Sequence, residues 1–67
     1  MINKNLLESK MAESGLKRKY FCERLGLTYQ GLSNKLKGEN EFVSSEIKVL
    51  KEILHLSDKA VNDIFFR

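Results

Sequence analysis

The chain has no proline and no tryptophan, and it contains a single cysteine, Cys22, and a single histidine, His55. One cysteine excludes an internal disulfide and a multi-cysteine zinc site, and it fits a protein kept in a reducing compartment. One histidine also leaves no cluster at the spacing that metal ligands require. We therefore expect no metal, no cofactor and no enzymatic activity.

Long apolar runs are also missing. No stretch approaches the ~20 apolar residues that a membrane span needs. The first ten residues, MINKNLLESK, lack the apolar core of a secretion signal. We expect one small cytoplasmic domain over residues 1–67, with no membrane contact.

Acidic residues are scarce in the first part of the chain. Residues 1–38 carry eight Lys or Arg against three Glu, a net charge of +5, whereas residues 39–67 carry four against six, a net charge of −2. A basic half suits a polyanion, because lysine and arginine neutralise phosphates. The alternative is that these charged residues are simply distributed over the surface of a small domain, as in most proteins, with no polyanion as partner.

Helical periodicity runs through most of the chain, and no alternating pattern is long enough for a strand. Asn3 or Asn5, Thr28 and Ser57 are suitable N-caps, and glycines follow three of the segments. We therefore predict an all-α domain with five short helices, at about 5–14, 17–25, 29–37, from 44 or 45 to 54, and 58–66.

The apolar side chains of each predicted helix define the expected core. Their inward positions are Leu7, Met11 and Ala12, then Phe21, Cys22 and Leu25, then Leu32 and Leu36, then Ile47, Leu50, Ile53 and Leu54, and finally Val61, Ile64 and Phe65. Phe65 and Phe66 are adjacent, about 100° apart around a helix, so both cannot easily face one core. Either one of them forms an exposed patch for a homodimer or a partner, or Phe66 folds back over the core.

The central segment, LKRKYFCERLGLTYQGLSNKLKG over residues 16–38, holds two short helices joined by a tight turn. Gly26 can adopt positive φ without steric cost, Leu27 can enter the core, and Thr28 can cap the next helix. This spacing is typical of a helix-turn-helix, here over about 17–37, which lays its second helix in the major groove of DNA.

The outward face of the second of these helices is polar. Gln30, Ser33, Asn34 and Lys37 fall on the side opposite Leu32, and Tyr29 stands at the N-terminus. Amide, hydroxyl and phenol groups bond base edges, so Tyr29, Gln30, Ser33 and Asn34 are candidate base-reading residues. Lys37 is a candidate phosphate contact. A merely solvated polar face is the alternative interpretation.

Two further features bear on DNA binding. Lys17 and Arg18 begin the first helix of the pair, where cations and free amides together can hold a phosphate. Gly31 has no side chain, which could let the backbone of the reading helix approach DNA closely.

The stretch GLKRKYFCERLGLTYQGLSNKLKG, followed by EFVSSEIKVLKEILHLSDKAVNDIFF, resembles the phage repressor and Cro-type helix-turn-helix family. The tail LSDKAVNDIFF is similar to small Cro-like regulators of temperate phages of Gram-positive bacteria. The resemblance implies a five-helix, lambda-repressor-like domain in the cytoplasm of a host bacterial cell, acting as a dimer on a palindromic double-stranded DNA operator. It also places Tyr29, Gln30 and Asn34 on base-contacting positions, and Lys17 and Arg18 on phosphate-contacting positions.

Three positions depart from the family pattern. Arg18 stands where glutamine often supports the recognition helix, and Cys22 replaces the usual alanine, where we expect it to be buried. The loop after the recognition helix is often basic, but here it contains Glu39 and Glu41. These carboxylates favour an alternative function, an antirepressor or modulator that uses the same fold to bind a partner repressor protein.

Overall fold

The computed structural model describes residues 2–66. Within that range the chain forms five α-helices, namely α1 Lys4–Ser14, α2 Arg18–Leu25, α3 Tyr29–Lys37, α4 Ser44–Ile53 and α5 Asp58–Phe65. The predicted all-α fold is confirmed, and every helix boundary lies within one residue of its predicted position. Across residues 2–66 no helix is both long and apolar enough to cross a membrane.

Side-chain caps start three of the helices. Asn3 Oδ1 accepts the backbone N–H of Leu6 at 3.1 Å, and Ser57 Oγ accepts that of Ala60 at 3.1 Å. Thr28 Oγ1 accepts the backbone N–H of Gly31 at 3.0 Å, at the start of α3. Each bond satisfies an amide that has no partner inside its helix, so the local sequence determines where the helix begins.

The core draws on all five helices and on the two loops that flank α4. Its buried residues are Leu7, Met11, Phe21, Leu32, Leu36, Phe42, Leu50, Leu56, Ile64 and Phe65. The backbone N–H of Asn3 donates to the carbonyl of Ile64 at 2.6 Å, which ties the start of α1 to α5.

One predicted core position, that of Ala12, is wrong, whereas Cys22 packs against the core but is less buried than expected. Ala12 is exposed, because α1 buries only the Leu7–Met11 side and Ala12 lies about 100° around the helix from Met11. Cys22 is only partly buried, since it lies at a shallow surface cleft that Lys19 and Tyr29 also line. Phe65 is buried and Phe66 is exposed, so the adjacent pair divides between core and surface.

Three residues, 26–28, connect α2 to α3, and the two helices pack against each other. Gly26 has φ +69°, and the backbone N–H of Leu27 donates to the carbonyl of Cys22 at 3.0 Å. Leu27 then packs against the core, and Thr28 caps α3. The turn therefore sets the position of α3 on α2 through one glycine, one apolar contact and one cap.

The turn after α4 uses a less suitable residue. His55 has φ +54°, and it is the one residue other than glycine with positive φ in the described part of the chain. The N–H of Leu56 donates to the carbonyl of Lys51 at 3.0 Å, which completes a Schellman-type helix end and directs Leu56 into the core. Lys51 also bonds Asp58 across this turn; the hydrogen bond and the positive charge of Lys51 lower the pKa of the Asp58 carboxyl.

The two left-handed turns predict substitutions of opposite sign. An alanine Cβ at Gly26 would meet no atom within 4 Å, so Gly26→Ala is expected to cost about 1 kcal/mol from backbone conformation alone. His55→Gly removes a left-handed side chain and is expected to stabilise by about 0.5 kcal/mol. Urea denaturation of both variants measures the two values, and a shift of the same sign in both would contradict this account.

Candidate nucleic-acid interface

Helix α3 has one buried side and one open side. Leu32 and Leu36 are buried in the core, while Tyr29 is 63% exposed and Gln30 and Lys37 are also exposed. Ser33 and Asn34 are partly exposed. All five outward residues predicted from the sequence therefore reach the surface of α3, although Ser33 and Asn34 are less open than the other three.

The two amide side chains on this surface are bonded to each other. Gln30 Nε2 donates to Asn34 Oδ1 at 2.9 Å, one helical turn apart. The bond leaves the Oε1 acceptor of Gln30 and the Nδ2 donor of Asn34 without a partner among residues 2–66. An acceptor beside a donor is the chemical complement of the N6–H and N7 edge of adenine in the major groove.

The structure explains why position 31 is a glycine without a close approach of DNA. A Cβ atom at this position would lie 3.1 Å from Thr28 Oγ1, and it would also contact the side chain of Leu27. Gly31 therefore faces the turn and leaves room for the Thr28 cap.

The candidate phosphate-binding residues differ in their exposure and in whether they already form an ion pair. Lys17 and Lys37 are exposed, and within residues 2–66 neither has a carboxylate at ion-pair distance. Arg18 is partly exposed, and its guanidinium lies 4.0 Å from Glu8 Oε1. A surface ion pair at this distance contributes little to the free energy of folding. Arg18 can therefore leave Glu8 and bind a phosphate instead.

The start of α2 differs from the starts of α1, α3 and α5. Lys17 occupies the position before α2 in extended conformation and makes no side-chain cap. The side chain of Lys17 therefore supplies no cap like those of Asn3, Thr28 and Ser57, and the N–H of Tyr20 donates to the carbonyl of Lys17 at 3.0 Å instead. The amides of Arg18 and Lys19 have no partner among residues 2–66. Free amides beside Lys17 and Arg18 form a suitable environment for an anion.

Sequence reasoning missed an ion pair on the flank of α3. Lys35 Nζ lies 2.6 Å from Glu46 Oε1, and their side chains are only 14% and 10% exposed. The same carboxylate oxygen accepts the backbone N–H of Val43 at 2.9 Å, and Lys35 Nζ lies 5.9 Å from the ring centroid of Phe42. The signal was the position of Lys35, three residues after buried Leu32, where an apolar residue is expected.

The acidic loop between α3 and α4 is open to solvent. Glu39 and Glu41 are both exposed, and in the described part of the chain neither carboxylate has an ion-pair partner. The loop begins where the backbone N–H of Glu39 bonds the carbonyl of Asn34 at 2.9 Å, so it starts at the very end of α3. The negative charge of this loop therefore lies next to the positive charge of Lys37 at the end of α3.

No metal-binding cluster accompanies this surface in the described part of the chain. Residues 2–66 contain no group of three or more His, Cys, Asp or Glu side chains that could hold a metal ion. Comparisons with protein-family models, with curated proteins and with solved structures found no match for the chain.

The Lys35–Glu46 pair predicts a large and non-additive effect on stability. Lys35→Met leaves a carboxylate buried without its cation, and it is expected to lower the free energy of unfolding by about 3 kcal/mol. Adding Glu46→Gln removes that charge and is expected to recover part of the loss. Urea denaturation of the single and double variants measures the coupling.

Lys37→Met is the matched control, because Lys37 is exposed on the same helix and has no ion pair among residues 2–66. It is expected to change the free energy of unfolding by less than about 0.5 kcal/mol. If Lys35→Met and Lys37→Met lower the free energy of unfolding equally, the Lys35–Glu46 ion pair does not stabilise the fold more than an exposed lysine does.

Proposed function

We propose that this protein is a sequence-specific, Cro-like transcriptional regulator that binds double-stranded DNA, with α2 and α3 as its helix-turn-helix and α3 as the recognition helix. The observation that carries the proposal is the bonded Gln30–Asn34 pair on the open side of α3. The family resemblance of the sequence supports a role in a phage or prophage switch, exercised in the cytoplasm of a bacterial host.

The open side of α3 has the chemistry that base reading requires. An amide pair that is already ordered loses little side-chain entropy when it bonds a base edge. Exposed Tyr29, at the N-terminus of α3, can pack on a thymine methyl group or bond a phosphate. Ser33 adds a hydroxyl that can donate or accept.

Phosphate contacts would then set the position of α3 in the groove. Lys17, Arg18 and the uncapped amides of α2 lie at one helix start, and Lys37 lies at the end of α3. Three cations give a modest electrostatic affinity, and the carboxylates of Glu39 and Glu41 reduce it. We therefore propose that two copies bind a palindromic operator together, since a homodimer doubles the contacts.

The experiment starts by selecting duplexes from a random DNA library, because the operator is unknown. Asn34→Ala is expected to weaken binding to the selected duplex by about 1–3 kcal/mol and to leave binding to unrelated duplex unchanged. Gln30→Ala is expected to act in the same direction, since it removes the other half of the amide pair. Fluorescence anisotropy at low salt measures the affinities of the wild type and of both variants for both duplexes.

Asn62→Ala is the matched control for Asn34→Ala. Asn62 is an exposed asparagine in a different helix, α5, and its replacement is expected to change neither affinity. If the library yields no preferred sequence, or if Asn34→Ala weakens both duplexes equally, α3 does not read bases and the proposal fails.

A second function is favoured by a separate observation, the 65% exposure of Phe66 near the acidic loop. A regulator of this kind would be an antirepressor or modulator that docks on a repressor protein. A footprint of that repressor on its operator, taken with and without this protein, distinguishes the two functions. An altered footprint supports docking, and an unchanged footprint counts against it.

A further inference from the structure

We propose that the C-terminal end of α5 and the acidic loop form a docking groove for a protein segment that presents a large apolar side chain next to a lysine or arginine. The docking groove has a volume of about 430 Å³, and its lining includes Ile2, Glu41, Phe42, Ile47, Phe65 and Phe66. This inference goes beyond DNA binding, because it uses no base-reading residue of α3 and holds whether or not α3 binds DNA.

The apolar part of the groove is a stack of aromatic rings anchored in the core. The rings of Phe42 and Phe65, both buried, lie edge to face with centroids 5.7 Å apart. The ring of Phe66 lies 6.5 Å from that of Phe65 and is the exposed end of the stack. The two buried rings, Phe42 and Phe65, are held in place by the core, so this part of the groove loses little entropy when a partner binds.

The charge of the groove determines which partner fits. Glu41 lies on its rim, and Glu39 is exposed in the same loop. The cation that lies over Phe42 is Lys35, which already pairs with Glu46. The rim is therefore negative in the described part of the chain, and it attracts a cation and repels DNA phosphates.

A second copy of the chain fits this groove poorly. A two-fold axis would bring the same surface of both copies together, and with it the Glu41 carboxylate of each copy. The volume, close to the lower end for ligand pockets, holds two or three side chains. We therefore assign the groove to a short apolar and basic segment of another protein, bound as a helix in a groove.

The test uses ¹⁵N-labelled protein and three synthetic helical peptides of equal length. The first has a leucine face flanked by lysines, the second has the same leucines flanked by glutamates, and the third has lysines with serine in place of leucine. Only the leucine–lysine peptide is expected to shift the amides of Glu41, Phe42, Ile47 and Phe66 in a saturable way. Its affinity is expected to exceed that of the other two by about tenfold or more.

Phe66→Ser is expected to weaken binding of the leucine–lysine peptide about tenfold, while Val43→Ser, at another exposed apolar side chain outside the groove, leaves it unchanged. Glu39→Gln with Glu41→Gln is expected to weaken it several-fold. Glu52→Gln, which removes an exposed carboxylate of α4, is expected to leave it unchanged.

Three results would overturn the proposal. The first is equal binding of the leucine–glutamate peptide, and the second is an equal loss in Val43→Ser and Phe66→Ser. The third is a concentration-dependent dimer of the free protein that Phe66→Ser abolishes, which would make a second copy the occupant. DNA affinity of Phe66→Ser is a separate readout, so failure of docking and failure of DNA binding are distinguishable.

Discussion

The ion pair between Lys35 and Glu46 connects α3 to the rest of the domain. One carboxylate oxygen accepts both the ammonium of Lys35 and the backbone N–H of Val43, so it fixes the start of α4 and the flank of α3 together. The pair is nearly buried, and Lys35 also lies over the ring of Phe42. The orientation of α3 therefore depends on contacts with α4 and its preceding loop as well as on the turn from α2.

This arrangement separates structural residues from candidate binding residues on one short helix. Leu32, Leu36 and Lys35 hold α3 against the domain, which leaves Gln30 and Asn34 free to bond each other on the open side. Lys35 also lies over the ring of Phe42, and Phe42 is part of the aromatic stack that lines the acidic docking groove. A basic reading surface and an acidic docking groove differ in charge, so the two proposed partners differ in chemistry and do not compete for the same side chains.

Local signals explain what could be predicted from the sequence. Caps and left-handed glycines act over three or four residues, so Thr28 and Gly26 were sufficient to place the ends of their helices. The Lys35–Glu46 pair spans eleven positions and depends on how α3 meets α4, which no local pattern specifies. His55 was unexpected in a left-handed turn because glycine is the usual residue at this position of a helix end. The roles of the α3 residues in reading DNA stay predictions.

The most direct test of the central claim is amide chemical-shift mapping of the ¹⁵N-labelled protein with a duplex selected from a random library. We predict that the largest shifts fall on residues 29–37 and on the start of α2 near Lys17 and Arg18, with little change in α5. A selected duplex that instead shifts α5 and the acidic loop, or one that causes no saturable shift on α3, would contradict the assignment of α3 as a recognition helix.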